Sequence, residues 1–389
     1  MLAHSPPLPL TVDYDSKTGI TTEDDEKGIL LALEQRHRVR HIRLILPDRI
    51  LRKLVMAIDE EFPILEYLIV APLTEESTVV FPETLQAPHL RHLTLSCFAC
   101  PIRPRLHPTA ASPGLVTLFL VINHQSAYFQ PNVLLQWISF MPQLEILNIL
   151  FTFPVSNRDV KRQLTHTPIT THVTLPNLRL FWFRGVSAYL EAIICRITTP
   201  RLKSLEIRLF KQLTFSVPRL PQFMNTVENL RFDNAIIMFR DAYVNVLMFF
   251  RDSHTRAFGV WVDCLHLDWQ VASVAQIFNV LGQVCSAVEY LTIEHQVHIQ
   301  PSEEHDDVDR IEWRNLLRSF GSVKTLRVKG GLVEGLAHCL RSEYGELPLE
   351  LLPELQELTC LGSRDTGDAF TPFIDARQNT GRPVTLVRN

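Results

Sequence analysis

The stretch MPQLEILNIL, Met141 to Leu150, decides the fold of this chain. Its apolar residues follow two spacings at once, so neither the period of a helix nor that of a strand accounts for all of them. They do fit a six-residue frame, apolar-x-x-apolar-x-apolar, which begins at Leu144 and continues with Leu147 and Ile149. Such a frame predicts one rung of a repeated core, provided that it recurs along the chain.

The frame recurs along the whole chain. Twelve copies begin at Val39, Leu65, Leu90, Leu115, Leu144, Leu178, Leu202, Val227, Val262, Val288, Val323 and Leu355. Their starts lie 24 to 35 residues apart, and the shorter spacings cluster near 25, the length of a leucine-rich repeat. Proline stands two positions before the first apolar residue in seven copies, where it ends a helix and marks the entry to a strand. Segments with helical spacing, such as DRILRKLVMAIDEEF and AYLEAIICRI, precede the frames, so each unit is predicted as helix, turn and strand.

Repeats of this kind predict the fold class, because no single unit can bury its apolar face alone. We expect an α/β leucine-rich-repeat solenoid with irregular repeats, parallel strands on the concave face and helices on the convex face. Residues 27–389 are predicted to form about twelve units, and residues 1–26 a loosely ordered amino-terminal extension. The longer spacings place insertions at roughly 152–175, 234–258 and 295–310, which are expected to be loops.

Composition narrows the classes of partner. The 389 residues are 46% hydrophobic and 21% charged with a net charge of -4, which is typical of a soluble globular protein and provides no basic footprint for nucleic acid. The longest apolar runs, such as Val246 to Phe250, are too short to span a membrane. Seven cysteines and the lack of an Asn-x-Ser/Thr sequon favour a reducing compartment, so we expect a cytoplasmic or nuclear protein.

Several short motifs partly match the patterns of known metal, redox or catalytic sites. Cys97 to Cys100 has the spacing of a zinc or redox pair, but a structural zinc site needs two further ligands and no second Cys-x-x-Cys occurs. The triplet Asp365 to Gly367 occurs once, whereas an aspartic protease needs two carboxylates, and the acidic run Glu303 to Asp309 lacks the spacing of a calcium loop. No catalytic, cofactor or metal residue is therefore predicted. An enzyme with a loop-borne site remains an alternative.

The alternation of strand side chains predicts a binding surface instead. If the first, fourth and sixth positions of the frame face the core, the third, the fifth and the next residue face the concave surface. The predicted protein-binding residues are Phe119, Val121, Ile146, Leu150, Leu180, Trp182, Arg184, Glu206, Arg208, Arg231 and Asp268. Trp182 beside Arg184 is the expected anchor, because Trp and Arg dominate interface energies. In the alternative interpretation, the insertion before Leu178 folds over these strands and buries their apolar side chains.

Four stretches go beyond a generic repeat. They are GVSAYLEAIICRITTPRLKSLEIRLFKQLTF (185–215), LHLDWQVASVAQIFN (265–279), IEWRNLLRSFGSVKTLRV (311–328) and FIDARQNTGRPVTL (373–386). Over nearly its whole length the chain resembles the leucine-rich region of the F-box-like protein family of mushroom-forming fungi. The resemblance implies a non-catalytic scaffold that holds a protein, as the substrate-binding repeats of a ubiquitin-ligase receptor do. The first residues look like the family's entry into the repeats and no F-box is recognisable, so binding of the ligase adaptor is expected only if an F-box is encoded upstream. An orphan interaction protein without a ligase partner is the alternative.

Overall fold

The computed structural model shows an α/β protein, as the sequence predicts. The structure describes residues 8–16, 21–74, 79, 85–96, 113–125, 128–153, 155–210, 215–227, 230, 232–250, 256–296, 310–341, 351–361 and 366–388. They carry fifteen main-sheet strands, mostly parallel, and eleven α-helices. The chain divides into two compact units, an amino-terminal unit, Met1–Leu202, and a carboxy-terminal unit, Lys203–Asn389.

The amino-terminal unit is built on parallel strands in the order β1-β2-β3-β4-β5-β6-β8. These strands are β1 (Leu10–Asp15), β2 (Val39–Leu46), β3 (Tyr67–Pro72), β4 (His92–Ser96), β5 (Thr117–Ile122), β6 (Ile146–Phe151) and β8 (Leu180–Gly185). A separate two-stranded pair is formed by β7 (Val173–Thr174) and β9 (Ile197–Thr198). The helices are α1 (Glu23–Leu33), α2 (Asp48–Ile58), α3 (Pro131–Ile138), α4 (Asn157–His166) and α5 (Ser187–Ile194).

The repeated frame combines a turn before the strand with hydrogen bonds to the neighbouring strand. The amide of Leu144 donates to the carbonyl of Met141 at 3.2 Å, so Pro142 occupies the second position of a turn, where its fixed φ is favourable. The next two amides, of Glu145 and Ile146, both donate to the carbonyl of Val116 in the preceding repeat, at 2.8 and 3.1 Å. The local turn therefore sets the direction in which the strand begins, and main-chain hydrogen bonds pair it with the strand of the preceding repeat.

Burial confirms the predicted register in ten of the twelve copies, in which all three apolar residues of the frame are at most 5% exposed. Leu144, Leu147 and Ile149 are all 0% exposed. Burying an aliphatic side chain of this size contributes about 1.5–3 kcal/mol, so each such rung is a substantial part of the core.

The carboxy-terminal unit has the strand order β10-β13-β12-β11-β14-β15-β16-β17. Its strands are β10 (Ser204–Leu209), β11 (Asn234–Arg240), β12 (Tyr243–Phe249), β13 (Arg256–Asp263), β14 (Tyr290–Gln296), β15 (Thr325–Lys329), β16 (Glu357–Leu361) and β17 (Thr385–Arg388). The helices are α6 (Leu220–Asn225), α7 (Leu267–Val280), α8 (Gly282–Cys285), α9 (Arg310–Arg318), α10 (Val333–Leu340) and α11 (Thr371–Asn379). Strand β12 is antiparallel to both β11 and β13, so these three strands form a meander, whereas β13 is parallel to β10 and β11 is parallel to β14.

The meander accounts for the two copies of the frame that are wrong. Val262 lies near the end of β13, Leu265 is 68% exposed, and Leu267 begins helix α7. The three apolar residues of the copy that begins at Val227 are buried, but they precede β11, whose own core positions include Ala235 and Ile237. A three-residue apolar pattern recurs by chance in a chain this rich in apolar residues, and only strand pairing decides which copy is used.

Three further expectations differ from the structure. The segment 234–258 is not a loop, since it forms β11, β12 and the start of β13, and the segment 152–175 contains α4 and β7. The segment 297–309 of the third insertion lies outside the described residues. Residues 10–15 of the predicted loose extension form β1, which pairs with β2.

Candidate functional site

One surface of the amino-terminal unit carries the strand side chains that were predicted to face away from the core. On β5 and β8 the side chains alternate between buried and partly exposed, and the buried ones form the core beneath the helices. We call the opposite side chains of β5, β6 and β8 the open face. It consists of Thr117, Phe119, Val121, Ile146, Asn148, Leu150, Leu180, Trp182 and Arg184.

Strand register arranges the open face in three rows. The middle row pairs Phe119 with Asn148 and Asn148 with Trp182. One flanking row consists of Thr117, Ile146 and Leu180, and the other of Val121, Leu150 and Arg184. The structure therefore brings together the seven predicted residues of the amino-terminal unit, and they surround one polar side chain, that of Asn148.

Phe119 and Trp182 lean towards each other above Asn148. Their strands are separated by β6, so a strand spacing of about 4.8 Å puts the two backbones roughly 9.6 Å apart. Their ring centroids are only 6.4 Å apart, at an interplanar angle of 80°. This edge-to-face contact is a favoured aromatic geometry, and it covers the strand between the two rings.

Asn148 is the residue that sequence reasoning left out of the binding set. It is 8% exposed, and its Oδ1 is buried without a hydrogen-bond partner among the described residues. Leaving a buried acceptor unsatisfied costs about 1–3 kcal/mol, so such an atom in a folded protein needs an explanation. A polar residue at an outward position of the apolar stretch ILNIL was the available signal.

The insertion before Leu178 does not cover the open face with its described residues. Helix α4 packs on α5, with Val160 fully buried and the Oδ1 of Asn157 accepting a hydrogen bond from the Ala188 amide at 3.0 Å. This is the side of Phe183 and Tyr189, whose rings stack at 6.0 Å, and Phe183 points away from Trp182 along the same strand.

Towards β1 the same side of the sheet changes in character. His41 stacks on Tyr67 at 4.0 Å, and the Nδ1 of His92 lies 3.1 Å from the Oγ1 of Thr117. Burial lowers the pKa of His41. Arg43 donates to Asp13 and Asp15 at 2.9 and 2.8 Å, so the charges at this end are matched within the unit. On the same side β3 presents Ile69 and Ala71, and β5, β6 and β8 together form a longer run of neighbouring apolar side chains.

The predicted charged residues of the carboxy-terminal unit are arranged differently. The Nε and Nη2 of Arg208 both donate to the Oδ1 of Asp263, at 2.9 and 2.8 Å, and its guanidinium lies 5.7 Å from the ring centre of Tyr243. Burial raises the pKa of Glu206, and nearby Arg256 opposes that shift. Arg208 is thus engaged within its own unit.

The meander covers much of its own surface. A Cβ built on Gly259 would lie 2.6 Å from two ring carbons of Trp261, so the indole rests directly on this glycine. Leu247 and Asn245 on the neighbouring strand are 7% and 6% exposed. The Oδ1 of Asn245 is also buried, and no residue in the described parts of the chain forms a hydrogen bond with it. This surface has an aromatic ring, but the ring contacts its own strand at Gly259.

Two predicted site residues are not placed on a strand face. The prediction for Asp268 is wrong, because the residue lies in the first turn of α7 rather than on a strand. Arg231 lies outside the described residues, as do Cys97 to Cys100, Glu303 to Asp309 and Asp365. Within the described parts of the chain, no group of three or more His, Cys, Asp or Glu side chains is arranged to hold a metal ion. No helix in those parts is both long enough and apolar enough to cross a membrane.

The sequence was compared with protein-family models and with curated proteins. No protein-family model matches the sequence, and no curated protein is significantly similar to it.

Proposed function

We propose that the chain is a non-catalytic protein-recognition scaffold of the leucine-rich-repeat solenoid type, and that the open face of β5, β6 and β8 binds the partner. The single observation that carries this proposal is the Phe119–Trp182 pair, 6.4 Å apart, on an apolar sheet surface that faces away from the helices. Contiguous apolar patches mark interaction sites, and aromatic anchors with a nearby arginine supply most interface energy.

The resemblance to the fungal F-box-like family supports the same class of function. By this proposal the chain corresponds to the substrate-holding repeats of a ubiquitin-ligase receptor in the cytoplasm or nucleus. The ligase adaptor would be a second partner only where an F-box precedes the repeats. A net charge of -4 favours a protein ligand over nucleic acid or an anionic membrane.

Affinity purification with a matched tryptophan control tests the proposal. The tagged chain, Trp182→Ala and Trp269→Ala would each be incubated with an extract of a mushroom-forming fungus, and the bound proteins identified by mass spectrometry. Trp269 is 46% exposed on helix α7, so it controls for the loss of an exposed indole elsewhere. We expect one set of proteins to be lost with Trp182→Ala and kept with Trp269→Ala.

The same set from all three variants would contradict binding at the open face. Recovery of adaptor and cullin only when the upstream coding region is included would support the ligase version of the proposal. Thermal melts of each variant exclude misfolding as the cause of a lost partner.

A further inference from the structure

The Oδ1 of Asn148, which no described residue pairs with, indicates that the ligand carries a hydrogen-bond donor. The atom is a strong acceptor, it is buried, and it lacks a donor within the described chain. It lies at the centre of the open face, with Phe119 and Trp182 in its own row. A ligand that brings an N–H group between the two rings would satisfy the acceptor while burying apolar surface around it.

The charges of the open face exclude several kinds of donor. Among its nine side chains there is no carboxylate, and the one charged group is Arg184. A ligand ammonium or guanidinium would be desolvated there with no carboxylate among these nine side chains to pair with it. A neutral N–H, which every non-proline residue carries in its main chain, meets no such penalty.

The geometry also favours an extended ligand. The apolar rows through Ile146 and Leu180 on one side, and through Val121 and Leu150 on the other, flank the acceptor. An extended main chain alternates its side chains and leaves its amides accessible between them. Apolar side chains can then contact the flanking rows while one amide points at Asn148.

Resting on the proposed function, we infer that the open face binds an extended protein segment that lies across β5, β6 and β8. One main-chain N–H of the segment donates to the Oδ1 of Asn148, and an apolar side chain next to it packs between Phe119 and Trp182. The two rings separate by side-chain rotation as the segment enters, a common change at interfaces.

The first test uses a phage-displayed library of random linear peptides. Peptides are selected on the wild-type chain and counter-selected on Trp182→Ala. We expect enrichment of sequences with an apolar or aromatic residue at the centre and without Lys or Arg beside it. Enrichment of basic sequences, or of none, would overturn the inference.

The second test isolates the single hydrogen bond. In a selected peptide, each main-chain amide is replaced in turn by an ester, which removes one N–H and keeps the side chains. We expect one ester to weaken binding to the wild-type chain about tenfold, the loss of one hydrogen bond to a buried acceptor. The same ester should change binding to Asn148→Leu by less than about twofold, because that variant has no acceptor. Asn245→Leu, on the carboxy-terminal unit, serves as the control and should respond to the ester like the wild type.

The outcomes separate this inference from the proposed function. If no ester depends on Asn148, or if no linear peptide binds while a folded partner is still lost with Trp182→Ala, the inference fails and the scaffold proposal stands. If neither peptides nor proteins depend on Trp182, both fail. An ester effect that vanishes with Asn148→Leu alone supports both.

Discussion

The two units contain the same pair of residues and use it in opposite ways. In each, a buried asparagine lies opposite a tryptophan on the adjacent strand, Asn148 with Trp182 and Asn245 with Trp261, and its Oδ1 has no partner in the part of the chain that the structure describes. In the amino-terminal unit the indole leans over the asparagine and meets Phe119 edge to face. In the carboxy-terminal unit the indole rests against Gly259 on its own strand.

The residue two positions before each tryptophan explains the difference. It is Gly259 before Trp261 and Leu180 before Trp182, and both lie on the same side of the strand as the indole. Glycine has no side chain, so the indole can rest on its backbone, whereas the isobutyl group of Leu180 occupies that space. The residue two positions before the tryptophan thus decides whether the indole rests on its own strand or extends over the neighbouring one.

The largest expected effect comes from placing a charge on the wrong side of β6. Leu147→Asp puts an unpaired carboxylate into a fully buried site, and we expect the free energy of unfolding to fall by more than about 4 kcal/mol. Leu150→Asp, on the open face of the same strand, should cost about 1 kcal/mol or less. Urea denaturation followed by circular dichroism measures both. Equal losses would show that β6 has no open side.

A moderate effect is expected when the covering indole is displaced. Gly259→Leu places side-chain atoms where the Trp261 ring now lies, because even a Cβ would be 2.6 Å from it. We expect a loss of about 1–3 kcal/mol, the usual cost of overpacking, and a red-shifted, more readily quenched indole emission. Acrylamide quenching in a chain that retains only Trp261 measures the exposure. Unchanged quenching would mean that glycine does not control the ring.

A smaller effect is expected at the two asparagines, which compare the units directly. Asn148→Leu and Asn245→Leu each remove an unsatisfied buried acceptor and should raise the free energy of unfolding by up to about 1 kcal/mol. Only Asn148→Leu should weaken binding of the selected peptides. Thermal melts and titration calorimetry supply the two readings. A clear loss of stability in either variant would show that the amide contributes by its packing.

The smallest effect concerns Glu206 and depends on pH. Burial raises its folded-state pKa, so the folded protein favours the protonated carboxyl, and the stability contribution is present at low pH and is lost as the pH rises through that pKa. Glu206→Gln should therefore be more stable than the wild type at pH 7. The difference should close below the unfolded carboxyl pKa of about 4.3. A gap in the free energy of unfolding that is constant with pH would contradict this account.

Much of the fold follows from local pattern alone. Apolar spacing, turn prolines and helical segments act within some thirty residues of chain, and they correctly place ten strands and their buried sides. The pattern does not show that 234–258 pairs as a meander, because antiparallel pairing depends on which strand edges meet. It also does not show that the insertion before Leu178 folds as α4 on the helix side, a position that depends on the packing of Val160.

For the candidate site, too, some features follow from local sequence and others only from tertiary packing. The sequence by itself determined that Phe119, Ile146 and Trp182 share one side of a sheet, because the alternation of a strand is a local property of the backbone. Only the tertiary structure decided that the two rings converge over Asn148, that no described residue donates to its Oδ1, and that Trp261 rests on Gly259. Those outcomes depend on side chains from different strands competing for the same space, and no pattern within one strand contains that information.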